Sequence, residues 1–156
     1  MNDGIQKVVM GALFYFEDKV LLLRRVSDDF MGGLVELPSG TVDAHEGFLD
    51  ALIRECKEET GLSVTSIESY IGCFDYISGS GKRTRQLNFA VLSDSSDVTL
   101  APQEHDAYFM VSPFSNEFKE LNISPQTRKI IHDFFQSKPG KTNPSHDLAT
   151  AATPTD

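Results

Sequence analysis

The chain has 156 residues, 40% hydrophobic and 24% charged, with 23 acids against 14 bases and a formal charge of −9. That length and balance suit one globular domain with room for a substantial core. The negative charge works against stable binding to RNA or duplex DNA, and it favours small anionic ligands only where a cation reverses the local field. Cys56 and Cys73 are the only cysteines; two thiols make no disulfide framework, so a reducing cytoplasm is expected. The apolar run at residues 8–16 is too short to span a bilayer and lacks the basic start and cleavage site of a signal peptide, so no membrane association is expected.

Residues 1–6 read as a frayed start. KVVMGALFYF at 7–16 and KVLLLRR at 19–25 are β-rich runs separated by Glu17-Asp18, and they read as adjacent strands. After the loop VSDDFMGG, residues 34–37 form a short strand stopped by Pro38, and Ser39-Gly40 turns the chain. A helix follows on which Phe48, Leu49, Leu52, Ile53 and Cys56 make an apolar stripe about 140° wide, expected to face the core, with Asp50 and Lys57 on the solvent side. Gly61 reads as its C-cap. Residues 64–77 and 84–92 pair as a hairpin about the turn Ser78-Gly79-Ser80-Gly81, and a polar loop through 93–106 leads to a short strand at 107–111. Ser124 caps, and Pro125 opens, a last helix that brings Ile130, Ile131, Phe134 and Phe135 into the core. Residues 138–156, poor in large apolar side chains, read as a flexible tail after a single domain at 1–137. Strands at both ends of a central helix predict a mixed sheet with helices packed on it.

The first helix ends badly for a helix built only for stability. Glu55, Glu58 and Glu59 crowd its last turn, where carboxylates oppose the macrodipole by about 0.3–1 kcal/mol each when exposed. They also repel one another at i, i+3 and i, i+4. A solvated charged face is the ordinary alternative. A hard divalent cation would remove both penalties, because Mg²⁺ prefers a few carboxylate oxygens together with waters and phosphates.

Gly40, Glu46, Arg54, Glu55, Glu58, Glu59, Gly61 and Leu62 together resemble the Nudix box, G-x5-E-x7-R-E-U-x-E-E-x-G-U with U bulky and apolar; Cys56 fills the inner U position. The resemblance covers roughly residues 7–137 and is of the MutT-like kind. It implies an α/β fold, an α/β/α sandwich with a mixed sheet and helices on both faces. It also implies a pyrophosphohydrolase dependent on Mg²⁺ (or Mn²⁺), acting on a nucleoside di- or triphosphate or a nucleoside-diphosphate derivative.

Carried over by position, Glu55, Glu58 and Glu59 are the expected metal ligands, and Gly40 allows close approach of backbone to metal and phosphate. Glu58 or Glu59 orients the attacking water. Arg54 holds the acids in place or forms a plain i, i+4 pair with Glu58. MutT-like members carry one more glutamate, acting on the metal site or as general base; Glu104 is the candidate, with His105 as competing base or surface residue and Asp106 as fallback. Of the paired Arg24-Arg25, the resemblance points Arg25 toward the nucleotide. Glu36 joins it as a substrate-side candidate, and Arg83 and Arg85 reach the ligand from the hairpin or are solvated charges. Phe30, Phe74, Tyr76 and Tyr108 stack on a base or sit in the core.

Subfamily markers are sparse. Ile77 and Ser78 stand where ADP-ribose hydrolases carry a proline, Tyr76 falls short of the tyrosine of dinucleoside polyphosphate hydrolases, and Ser39 replaces a usual glycine. Asn122 and Gln126 lie only near the place of a base-reading asparagine. The expected partner is a small nucleotide, the expected assembly a monomer or homodimer. The alternatives are a Nudix-fold binding or regulatory module without catalysis and a hydrolase of ADP-ribose or dinucleotide type; RNA decapping is disfavoured by charge.

Overall fold

The computed structural model describes residues 4–28 and 31–138. The expected tail therefore falls outside the described residues from position 139 onward, and so does Phe30. Among the described residues seven strands and three helices follow in order: β1 (Lys7–Phe16), β2 (Lys19–Arg25), β3 (Val35–Glu36), β4 (Ser39–Thr41), α1 (Phe48–Thr60), β5 (Val64–Ile77), β6 (Arg83–Ser93), β7 (His105–Val111), α2 (Asn116–Glu120) and α3 (Pro125–Ser137).

The sheet is organised by a hairpin that splays. β1 and β2 pair only at their tip, through Tyr15 with Val20 and Phe16 with Lys19, around a turn in which Glu17 takes a φ of 59°. Beyond the tip the two arms separate, and residues 35–41 run into the fork. There β3 pairs with β2 and β4 pairs with β1, both antiparallel, while the Pro38 carbonyl accepts the Ala12 N–H at 2.9 Å. On the outer edges, β6 runs parallel to β1, β5 closes antiparallel on β6, and β7 lies antiparallel to β2. The result is the mixed sheet of the expected α/β/α sandwich.

Both faces of β1 and β2 are buried, which is why their sequences are continuous apolar runs rather than alternating ones. Met10, Ala12, Phe14, Leu21 and Leu23 meet Leu52 and Cys56 of α1 on one side. Leu13, Val20 and Leu22 meet Phe118 of α2 and Ile131 and Phe135 of α3 on the other. Each such fully buried side chain contributes roughly 1.5–3 kcal/mol through apolar transfer. The Ser124 hydroxyl caps α3 by accepting from the Thr127 N–H, with Pro125 in the first turn. Among the described residues no helix is long and apolar enough to cross a membrane.

Five details differ from the sequence expectation. Ser39-Gly40 does not turn the chain; it is paired strand. The strand expected at 34–37 is only Val35–Glu36, β7 begins two residues early at His105, and α2 is an additional helix. The largest difference is the face that α1 buries. Phe48, Leu49 and Ile53 are 47%, 46% and 42% exposed, whereas Ala51, Leu52, Cys56, Glu59 and Thr60 are buried. At 100° per residue the helix is turned by roughly 30° from the apolar stripe, toward its own acids. Contact with β4 decides this orientation, because β4 offers polar partners that a count of apolar residues does not see.

Candidate active site

Each residue of β4 meets one side chain of α1, two of them acids and the third Arg54. The Ser39 N–H donates to Glu59 Oε1 at 3.0 Å. A Cβ placed on Gly40 would overlap the carboxyl of Glu55, so that side chain packs directly on the Gly40 backbone. The Thr41 carbonyl accepts from Arg54 Nη2 at 3.1 Å. The role that the sequence suggests for Gly40, close approach to a ligand, is here close approach to a carboxylate of the same chain.

Arg54 ties the loop before α1 to the helix. Its Nε and Nη2 donate to the two oxygens of Glu46 at 2.7 and 2.9 Å, a bidentate pair. Its Nη1 donates to Glu55 at 2.9 Å and to Glu58 at 3.2 Å. The i, i+4 pair with Glu58 is therefore one contact of Arg54 among several. The Arg54 guanidinium, with help from the Asp43 N–H, holds the Glu46 carboxyl down at about 2, and Glu46 in turn raises the Arg54 pKa.

Glu59 is 7% exposed. Burial pushes its carboxyl up to about 9, and the nearby carboxylates of Glu36, Glu104 and Glu55 push the same way against the Ser39 N–H. Burial also raises Glu55, opposed by Arg54. Glu104 sits in an exposed turn, its N–H donating to the Ala101 carbonyl and its own carbonyl accepting from the Val26 N–H. This turn delivers Glu104 to the acids: one oxygen each from Glu59 and Glu104 and one ring nitrogen of His105 lie within 4.8 Å of one another.

His105 is not the loop residue that the sequence suggests. It opens β7, is 3% exposed, and its Nε2 lies 3.0 Å from Glu36 Oε2. The other oxygen of Glu36 accepts from Arg25 Nε at 3.1 Å. A line of polar groups thus runs from Arg25 through Glu36 and His105 to Glu59 and Glu104. The Nδ1 of His105 is buried without a hydrogen-bond partner, a condition that an ion or an ordered water relieves. Carboxylate oxygens with an imidazole suit a hard or borderline divalent cation, so the donor set fits one. Strand phase counted from Ala107 misplaces His105, because the register slips between Arg24 and Arg25 and pairs His105 with Arg25, on the face opposite Phe109 and Val111.

A cavity of about 180 Å³ opens next to this line, walled by Arg25, Leu34, Glu36, Phe74, Tyr76, Gln86 and Gln126 among others. Arg25 points into it while Arg24 turns away to Asp106 at 2.8 Å. Arg83 and Arg85 are not part of its wall. Arg85 forms a bidentate pair with Asp75 at 2.7 and 2.9 Å, on the opposite face of β6 from Gln86, and Arg83 lines a shallow groove with Ile5 and Thr84. Tyr108 lies outside the wall and is exposed; Asn122 donates to the Gly33 carbonyl at 3.4 Å.

The NUDIX domain family model matches residues 5–134. The chain is 29% identical over 126 residues to the CTP pyrophosphohydrolase of Escherichia coli, an alignment covering 81% of this chain and 89% of that protein. It is 34% identical over 67 residues to the ADP-ribose pyrophosphatase of Methanocaldococcus jannaschii, covering 43% of this chain and only 38% of that protein. The crystal structure of a MutT protein from Methanosarcina mazei Go1 superposes with a TM-score of 0.73 at 23% identity, over 87% of this chain and 97% of that one.

Proposed function

The chain belongs to the NUDIX domain family; from that premise we propose that it is a MutT-like hydrolase of phosphoanhydride bonds, a Mg²⁺- or Mn²⁺-dependent pyrophosphohydrolase of nucleoside triphosphates. The observation that carries the reading is the convergence of Glu59, Glu104 and His105, joined through the His105–Glu36 contact to the cavity walled by Arg25 and Glu36. It supports a reading in which an ion-holding cluster of acids lies beside a largely apolar pocket for the nucleoside.

In this reading Glu55, Glu58 and Glu59 would hold the ion, with one oxygen of Glu104 and the Gly40 backbone beside them. When bound, the ion neutralises charge on the phosphate oxygens, which is the main electrostatic need of attack at an anionic phosphorus. Glu104, exposed and free of ion pairing to Arg54, takes the proton from the attacking water. Arg54 is a positioning residue that holds Glu55 and Glu58 in place. Arg25, anchored by Glu36, binds the phosphate nearest the nucleoside, and Phe74 and Tyr76 flank the base.

A triphosphate is favoured over ADP-ribose because the similarity to the CTP pyrophosphohydrolase runs through most of both chains, whereas the match to the ADP-ribose pyrophosphatase covers less than half of either. A binding module without catalysis is not favoured, since all the box acids are present and held in place. The test is a panel of nucleoside triphosphates, ADP-ribose and dinucleoside polyphosphates, assayed with Mg²⁺ and with Mn²⁺ in ¹⁸O water. Release of pyrophosphate from triphosphates, with ¹⁸O in one product only, is the expected result. Tight nucleotide binding with no phosphate or pyrophosphate release would overturn the reading.

A further inference from the structure

The cavity wall contains an amide whose orientation is dictated from behind. Asn88 is fully buried, and its Nδ2 donates to the Gly72 carbonyl at 3.1 Å. A carbonyl can only accept, so the nitrogen of Asn88 must face Gly72, which turns Asn88 Oδ1 toward Gln86. That oxygen accepts from Gln86 Nε2 at 2.8 Å. Gly11 completes the arrangement: a Cβ there would overlap Asn88 Oδ1 and come within 2.6 Å of Gln86 Nε2, so the two amides occupy the space above a bare backbone. With its nitrogen committed inward, Gln86 offers the cavity its Oε1, an acceptor. Gln126, on the α3 side of the same cavity, likewise turns its Nε2 away, toward the Asp75 carbonyl at 3.4 Å.

We propose that Gln86 and Gln126 read the exocyclic amino group of a nucleobase, making the preferred substrates amino-bearing nucleotides of cytosine or adenine rather than their keto counterparts. An exocyclic –NH₂ carries two donor hydrogens and matches two acceptors. A keto oxygen in the same place faces acceptors on both sides and loses its hydration without replacement. A site built on oriented hydrogen bonds rejects the mismatched analogue much more strongly than an apolar pocket rejects a size difference. The proposal rests on the assignment of the cavity as the nucleoside subsite.

The test is calorimetric binding of CMP against UMP and of AMP against IMP to the wild-type protein with Mg²⁺, each pair differing at the amino or keto position. The amino member is expected to bind at least about tenfold tighter in the pair that the cavity accepts. Gln86→Met should bring that ratio to within about threefold, and Gln126→Leu, at an exposed position, should lower it without threatening the fold. Equal or reversed affinity in both pairs, a ratio unchanged in Gln86→Met and Gln126→Leu, or no binding of any of the four overturns the proposal. Triphosphate hydrolysis with no base discrimination leaves the reaction assignment standing, and base discrimination without hydrolysis removes that assignment alone.

Discussion

Gly40 and Glu55 share one volume: the carboxyl of Glu55 lies where any side chain on Gly40 would have to be. The backbone at Gly40 is ordinary paired strand, not left-handed, so glycine is required by its neighbour and not by its dihedral angles. Gly40→Ala should therefore fold, as judged by circular dichroism, while moving Glu55 out of place. A displacement of that kind is expected to lower kcat by about 100-fold. Adding Glu55→Ala should cost little more, because both changes remove the same contact; additive losses would show that Gly40 acts on something else.

The pair of Glu46 and Arg54 predicts an acid-limb signature. The folded Glu46 carboxyl sits at about 2, below its ordinary 4.5. A lowered folded value means that the stabilisation is fully present above the unfolded value and is lost as pH falls through the folded one. Melting temperatures of the wild type should decline between about pH 5 and pH 2, with a shallower decline in Glu46→Gln over the same window. Parallel declines would place the acid sensitivity elsewhere.

Glu59 runs the other way. Its carboxyl is pushed up to about 9 by burial, with no ion bound. Here the folded state holds the proton more tightly than the unfolded chain does, so this residue's contribution to metal-free stability falls as pH rises from about 4.5 toward about 9. In metal-free protein Glu59→Gln should melt at or above the wild type at pH 8, and the difference should shrink toward pH 5. A variant that melts lower at every pH would show that Glu59 is ionised and stabilising without a cation.

The turned helix is tested by two leucines. Leu52 is 1% exposed and Leu49 46% exposed, although both belong to the apolar stripe read from the sequence. Leu52→Ala is expected to cost about 2–5 kcal/mol in urea unfolding, and Leu49→Ala about 0.5 kcal/mol or less. Similar losses at the two positions would restore the face suggested by the apolar stripe.

What could be read before the structure follows from where the information lies along the chain. The box acids were legible because their spacing is local, within one loop and one helix. Strands β1 and β2 were legible because two-sided burial writes an apolar run. The turn of α1 was not, because periodicity counts apolar residues and cannot register that Glu59 and Thr60 are buried, the acid through an N–H from β4. His105 and Glu36 were separated by 69 residues, and nothing in either neighbourhood signals the other. The placement of Glu104 beside Glu59 depends on the Ala101 turn and on its backbone bond to Val26, a contact made by the fold. The same holds for the Gln86 and Asn88 amides, whose meaning lies in Gly11 and Gly72 on neighbouring strands.

The most direct test of the metal-dependent reaction is pyrophosphate release from a nucleoside triphosphate by wild type and Glu59→Gln, each measured in EDTA and after excess Mg²⁺. The wild type should be silent in EDTA and restored by Mg²⁺, and the variant should stay at least about 100-fold slower with Mg²⁺ present. Turnover that persists in EDTA, or a variant as fast as the wild type, would contradict the assignment of Glu59 and its neighbours as the ion-holding centre.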